Sequence, residues 1–301
     1  MTAVLPPRRL RVDGLPVAAA AADHAGEAAA DRAAVIVLTH RHAGSERLRS
    51  LLSAQPGLVC TSGTGILPLC EQAAAAWRGV EGRMDTRPSR LAASSISALT
   101  MPIITTVLAR LGGHRWCEFV TAPPRAVETF LQMYPQTRVL CLHRSCADVI
   151  DAAINGDPWG LAGQEYAAFT ATYPASTVAA LTAYWTTHTD PLIAFEESHA
   201  DACMRVRYED LSDDSYLDGL FAFLGMQPPR LGLAEPKSPA EVNPTPGRAD
   251  RAPFPADQVP EPLLAQADSL ARRLGYPPLA PDVGPSILRL TTRPLSNSRQ
   301  Q

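Results

Sequence analysis

Three short segments of the 301-residue chain set cationic side chains, hydroxyls and small residues directly after apolar runs. The first, His40-Arg41-His42-Ala43-Gly44-Ser45-Glu46-Arg47, combines imidazoles and guanidiniums with Gly44, which permits close backbone approach, and Ser45, a hydroxyl donor. The second, His143-Arg144-Ser145-Cys146, puts an arginine at the start of a helical pattern, and the third is Tyr208-Glu209-Asp210-Leu211. Free N–H groups and the dipole at a helix start favour an anion, and arginine adds a planar pair of donors. An arginine at a strand end is often only a solvated charge. Two such loops, each following a buried strand, point to a ligand with two separate phosphate groups.

Those loops must be held by the elements that flank them. Ala33 to Thr39 is a continuously apolar, β-branched run, as expected of a strand buried on both faces. We place strands at 34–39, 138–142 and 204–208, with a further one over Trp116 to Val120. Helical spacing follows each: Leu48, Leu51 and Leu52 before Pro56-Gly57; Arg125 to Met133; Val149, Ile150 and Ile154; and Leu217, Leu220, Phe221 and Leu224 before Gly225. Ser145 and Asp148 have the spacing of a capping box. Ala93 to Leu111 reads as a long helix closed by Gly112-Gly113, and Glu261 to Leu274 as a last helix in a proline-dense tail. Strands separated by helices predict an α/β fold of three layers, a central parallel sheet flanked by helices. In such sheets ligands bind beyond the carboxyl ends of the strands, where all three loops fall.

Composition removes several function classes. Apolar residues make up 46% and charged residues 19%, which excludes a disordered polyelectrolyte. With 27 Lys+Arg against 30 Asp+Glu the net charge is −3, so no broad positive field exists to gather nucleic acid or anionic membrane. No uninterrupted apolar run reaches about 18 residues, so no membrane span is expected. The only lysine is Lys237, and the phosphate loop G-x-x-x-x-G-K-[ST] is therefore absent. The six cysteines form no C-x-x-C pair and sit mostly in apolar segments, predicting reduced thiols, no metal and a cytoplasmic protein.

The segment Val35 to Cys60, with its strand, small-residue loop and leucine-rich helix ending in Pro-Gly, resembles the opening of sulfotransferases that use 3′-phosphoadenosine 5′-phosphosulfate (PAPS). Tyr134-Pro135 leading into the strand that ends at Arg144 is similar to their second signature. Arg207-Tyr208-Glu209-Asp210-Leu211 followed by Phe223-Leu224-Gly225, and Leu274-Gly275-Tyr276, resemble later stretches of the same family. The resemblance implies a P-loop-like fold and transfer of a sulfuryl group from PAPS to a hydroxyl of a small molecule, plausibly a natural product. It implies that Arg144 meets the 3′-phosphate, that Tyr208 contacts the nucleotide, and that His42 stands where the phosphosulfate-binding Lys or Arg belongs. The sequence departs from the family at Glu46, at Thr121 in place of a helper lysine, and at Ala152 in place of a serine.

On this reading the donors on the leaving phosphate are Arg41 or His42 with the Gly44 and Ser45 N–H groups, and Arg47 joins the nucleotide site. The base is Glu71, otherwise a solvated helix face, or His114, otherwise a turn residue. Arg248, with Arg251, closes over the nucleotide. The alternative is a protein of this fold with altered chemistry, or one that binds a nucleotide or partner without transfer. The expected organisation is a mobile 1–32, an α/β domain over 33–280 and a tail at 281–301.

Overall fold

A computed structural model describes residues 33–82, 88–121, 123–156, 163–228 and 254–279. Five strands form one parallel sheet: β1 (Val35–Leu38), β2 (Leu58–Ser62), β3 (Arg115–Val120), β4 (Arg138–His143) and β5 (Cys203–Arg207). Their order is β2-β3-β1-β4-β5. β1 lies between β3 and β4, with Val35 opposite both Cys117 and Arg138, and all four of its side chains are buried. The chain runs from β1 toward β2 at one edge and from β4 toward β5 at the other, so the connections diverge between β1 and β4 and open a crevice above their carboxyl ends.

The helices are α1 (Ser45–Ser53), α2 (Ile66–Glu81), α3 (Arg90–Leu111), α4 (Arg125–Met133), α5 (Cys146–Gly156), α6 (Gln164–Thr172), α7 (Thr177–Ser198), α8 (Asp214–Phe223) and α9 (Glu261–Arg273). Alternate side chains of the strands feed two cores. Val35, Val37, Cys117, Phe119 and Leu140 pack with Leu48 and Leu52 of α1 and Leu217, Leu220 and Phe221 of α8. Ile36, Leu38, Trp116, Val139 and Cys141 pack with Ile66 and Leu67 of α2, Ile96 and Ile104 of α3, and Val127 and Phe130 of α4. A third cluster joins α5, α6, α7 and α9 through Val149, Tyr166, Trp185 and Leu270. The predicted three-layer α/β architecture is what the chain adopts.

β2 and the helices α6 and α7 have no counterpart in the sequence reading. Among the described residues one helix, α3, at 22 residues, is long and apolar enough to cross a membrane by length and composition alone, a property that the core helix of a soluble protein shares. Serines and threonines interrupt its apolar residues, so a test for an unbroken run passes over it. Its Ala92, Ile96, Thr100 and Ile104 stripe is buried against the sheet layer, whereas Leu91, Leu99, Met101, Ile103 and Leu111 are exposed. The N-terminal 1–32 and C-terminal 281–301 segments lie outside the described residues.

Candidate functional site

The loop from β1 to α1 turns tightly over the switch point. His42 has φ 63° and Gly44 φ 93°, both left-handed. Gly44 caps α1 without a side chain to occupy the first-turn N–H groups, and those of Arg47 and Leu48 return to its carbonyl. A methyl group on Gly44 would lie 2.0 Å from Tyr208 Cδ2, so glycine is required both by the backbone and by the ring packed on it. Glu46 points outward, 84% exposed at its side chain, and pairs with Arg49 Nε at 3.5 Å.

Arg144 follows β4 and is 6% exposed. Its Nη1 donates to the His42 carbonyl at 3.0 Å, its guanidinium carbon sits 4.4 Å from the centre of the Tyr208 ring, and its Nε is buried with no hydrogen-bond partner. Trp185 of α7 donates from Nε1 to the Arg144 carbonyl at 3.1 Å. The neighbouring His143 is fully buried and donates from Nε2 to Glu196 Oε1 at 2.5 Å, while Glu196 Oε2 receives Arg205 Nε at 2.7 Å. α7 thus grips both residues at the end of β4. Ser145 caps α5, its Oγ accepting from the Asp148 N–H at 3.2 Å, and its own N–H goes to Glu209 Oε1. Glu209 Oε2 in turn receives the Tyr276 hydroxyl at 2.8 Å, which burial beside this carboxylate makes harder to ionise.

Arg47 lies on the first turn of α1, with Nη2 on Ser212 Oγ at 2.5 Å and its guanidinium 5.4 Å from the Tyr208 ring centre. Arg41 donates its N–H to the Tyr184 hydroxyl at 3.0 Å and pairs through Nη1 with Glu165 Oε2 at 3.3 Å. The His42 ring stacks on Tyr166 at 6.5 Å between centroids. His40 is buried, donates from Nδ1 to the Arg41 carbonyl at 3.0 Å, and leaves Nε2 without a partner. Desolvation lowers its pKa to about 3, so it is neutral at physiological pH.

Beside this cluster a cleft of about 590 Å³ opens over the carboxyl ends of β1, β2 and β3, with Thr39, Ser45, Arg49, Ser62, Glu118 and Thr121 in its wall. Glu118 is 2% exposed and accepts from the Thr61 hydroxyl and from Thr64 N and Oγ1, both at 2.9 Å. It ties the β2–α2 loop to β3. Arg49 stacks on Phe119, 4.1 Å from the ring centre.

The structure brings Arg41, His42, Gly44, Ser45, Arg47, Arg144 and Tyr208 around one loop, and it does not bring Glu71 there. Glu71 lies on α2, outside the cleft lining, paired with Arg125 Nε at 3.2 Å. His114 precedes β3 at the opposite end of the sheet, its ring packed against Gly57. Arg248 and Arg251 fall outside the described residues. Ala152 is buried in α5 and carries no hydroxyl toward Arg144. Glu118 and Arg49 escaped the sequence reading; a charged residue inside an otherwise apolar strand is the signal that marks Glu118. No group of three or more His, Cys, Asp or Glu among the described residues is placed to hold a metal ion.

A model of the sulfotransferase family matches residues 34–228, about two thirds of the chain. A sulfotransferase from Alicyclobacillus acidocaldarius is 12% identical with a TM-score of 0.48, covering 82% of this chain and 97% of that one. Sulfotransferase STF9 from Mycobacterium avium is 13% identical with a TM-score of 0.39, covering 65% of this chain and 64% of that one. No curated protein matches the sequence.

Proposed function

This chain belongs to the sulfotransferase family, and on that premise we propose that it transfers a sulfuryl group from PAPS to a hydroxyl of a small molecule, a natural product being the expected class. The observation that carries the nucleotide half is Arg144. A buried guanidinium with an unpartnered Nε, held on Tyr208 beside a glycine-capped helix start, is costly until an anion meets it. A terminal phosphate of the nucleotide supplies that anion, and the Tyr208 ring lies within reach of the same ligand.

PAPS provides the activated sulfuryl group. The chain's own part is to orient it and to receive charge on the leaving phosphate. The Gly44 and Ser45 N–H groups at the start of α1 face that charge, with Arg41, His42 and Arg47 around them. Arg41 and Arg47 are the permanent cations of this set, and His42 adds a ring N–H donor. The cleft beside the loop has the volume of a small-molecule site and opens next to Ser45, which suits an acceptor hydroxyl approaching in line.

The test is a pair of measurements. Adenosine 3′,5′-bisphosphate at a hundredfold excess over its Kd should stabilise the fold by about 2.7 kcal/mol. Labelled PAPS should pass its sulfate to members of a phenol and alcohol panel. Stabilisation without transfer to any acceptor favours the nucleotide-binding alternative, to which Ala152 and Thr121 lend weight; the absence of both effects overturns the proposal.

A further inference from the structure

Cys60 and Cys117 are opposite each other in the register of the edge pair β2–β3, and both side chains face the α1–α8 core. Neighbouring strands stand about 4.8 Å apart, inside the Cα separation that a disulfide spans. Both are free thiols. Cys117 is fully buried, whereas Cys60 is half-buried on the outermost strand, where a small oxidant can reach it.

We propose that Cys60 and Cys117 form a peroxide-sensitive dithiol that closes to a reversible disulfide. This site is independent of the sulfotransfer reading. The two sulfurs differ as an attacking and a resolving thiol should. A hydrogen bond from the Cys117 thiol, with help from Ser53 and the Arg49 guanidinium, lowers the Cys60 pKa to about 7. Burial, foremost, holds the Cys117 thiol protonated. The Cys60 thiolate attacks one oxygen of hydrogen peroxide, breaking the O–O bond; the departing hydroxide takes a proton and leaves as water. Cys60 is then a sulfenic acid. The Cys117 sulfur attacks the Cys60 sulfur, the S–O bond breaks, and the departing hydroxide takes the Cys117 proton as a second water. Two thiols and one peroxide become one disulfide and two waters.

Cys141 and Cys203 offer an internal comparison. They too are hydrogen-bonded neighbours, but Cys203 is opposite Val139 and Cys141 opposite Arg205, one pleat out of register. They should close more slowly.

The full-length protein is treated with hydrogen peroxide in increments, blocked with maleimide and digested without reductant for mass spectrometry. The expected product is a Cys60–Cys117 cross-linked peptide, with maleimide labelling of both residues lost together and restored by dithiothreitol. In Cys117→Ser, and in Cys117→Ala should the serine variant fold poorly, dimedone should trap a sulfenic acid at Cys60. Unchanged labelling of Cys60 in the wild type overturns the proposal, as does a Cys60 sulfenic acid that persists there without cross-linking, or earlier closure of Cys141–Cys203.

Discussion

The two sides of the crevice above β1 are built in opposite ways. Toward β4 and β5, the Tyr208 ring covers Gly44, Arg144 is buried beneath the His42 carbonyl, and α7 holds the strand end through Trp185 and Glu196. Toward β3 and β2 there is an open cleft, with one buried carboxylate, Glu118, fastening its wall. The interlocked side suits a ligand of fixed shape such as a nucleotide. The open side has few fixed polar partners and suits an acceptor whose identity varies between enzymes of one fold.

Breaking the grip of α7 should do the most damage. Glu196→Leu leaves His143 and Arg205 without their shared carboxylate and should cost about 4 kcal/mol in denaturant unfolding. Gly44→Ala combines a left-handed backbone with a clash against Tyr208 and should cost about 3 kcal/mol, with the loss reduced in a Gly44→Ala/Tyr208→Ala double variant. Arg144→Ala should weaken adenosine 3′,5′-bisphosphate by at least about 2 kcal/mol in calorimetry; unchanged affinity in the folded variant removes Arg144 from the site. On the open side, Glu118→Gln keeps the shape but weakens the bonds from Thr61 and Thr64, and should cost about 1.5 kcal/mol in thermal unfolding. If it costs more than Glu196→Leu, the assignment of open and interlocked sides is reversed.

A pH titration sharpens the same contrast. His40 is held neutral in the fold, its pKa lowered from 6.5 to about 3 by burial. The unfolded chain binds the extra proton between these values, so stability is fully present above pH 6.5 and is lost as pH falls toward 3. The slope from this group is about 1.4 kcal/mol per pH unit, and His40→Gln should flatten that part of the acid limb.

What could be read from the sequence follows from how each element is buried. β1 and β4 are interior strands, so nearly every residue is apolar and the run stands out. β2 is an edge strand whose burial fades from Leu58 to an exposed Ser62, and Leu-Val-Cys-Thr-Ser is too short and mixed to register as a strand. α7 is buried around most of its circumference and contains Pro191, so it shows neither a polar face nor an unbroken helical pattern. Arg144 and Tyr208 directly follow β4 and β5, and Gly44 ends the loop after β1, so chain position alone puts all three at the carboxyl edge of the sheet. The position of Glu71 is not legible in the chain order, because α2 carries it toward Arg125 on α4. Glu118 was passed over because its role depends on Thr61 and Thr64, more than fifty residues earlier.

Trp185 has a use apart from architecture. Its indole is wholly buried and its N–H rests on the Arg144 carbonyl, so its emission should lie toward the blue and respond when the segment beneath it moves. The chain has 4 tryptophans, and replacing the other three with phenylalanine would leave a single lamp wired to the interlocked side of the crevice. A ligand drawn to Arg144 would then announce itself by colour and brightness in a cuvette, with no label attached and no turnover required.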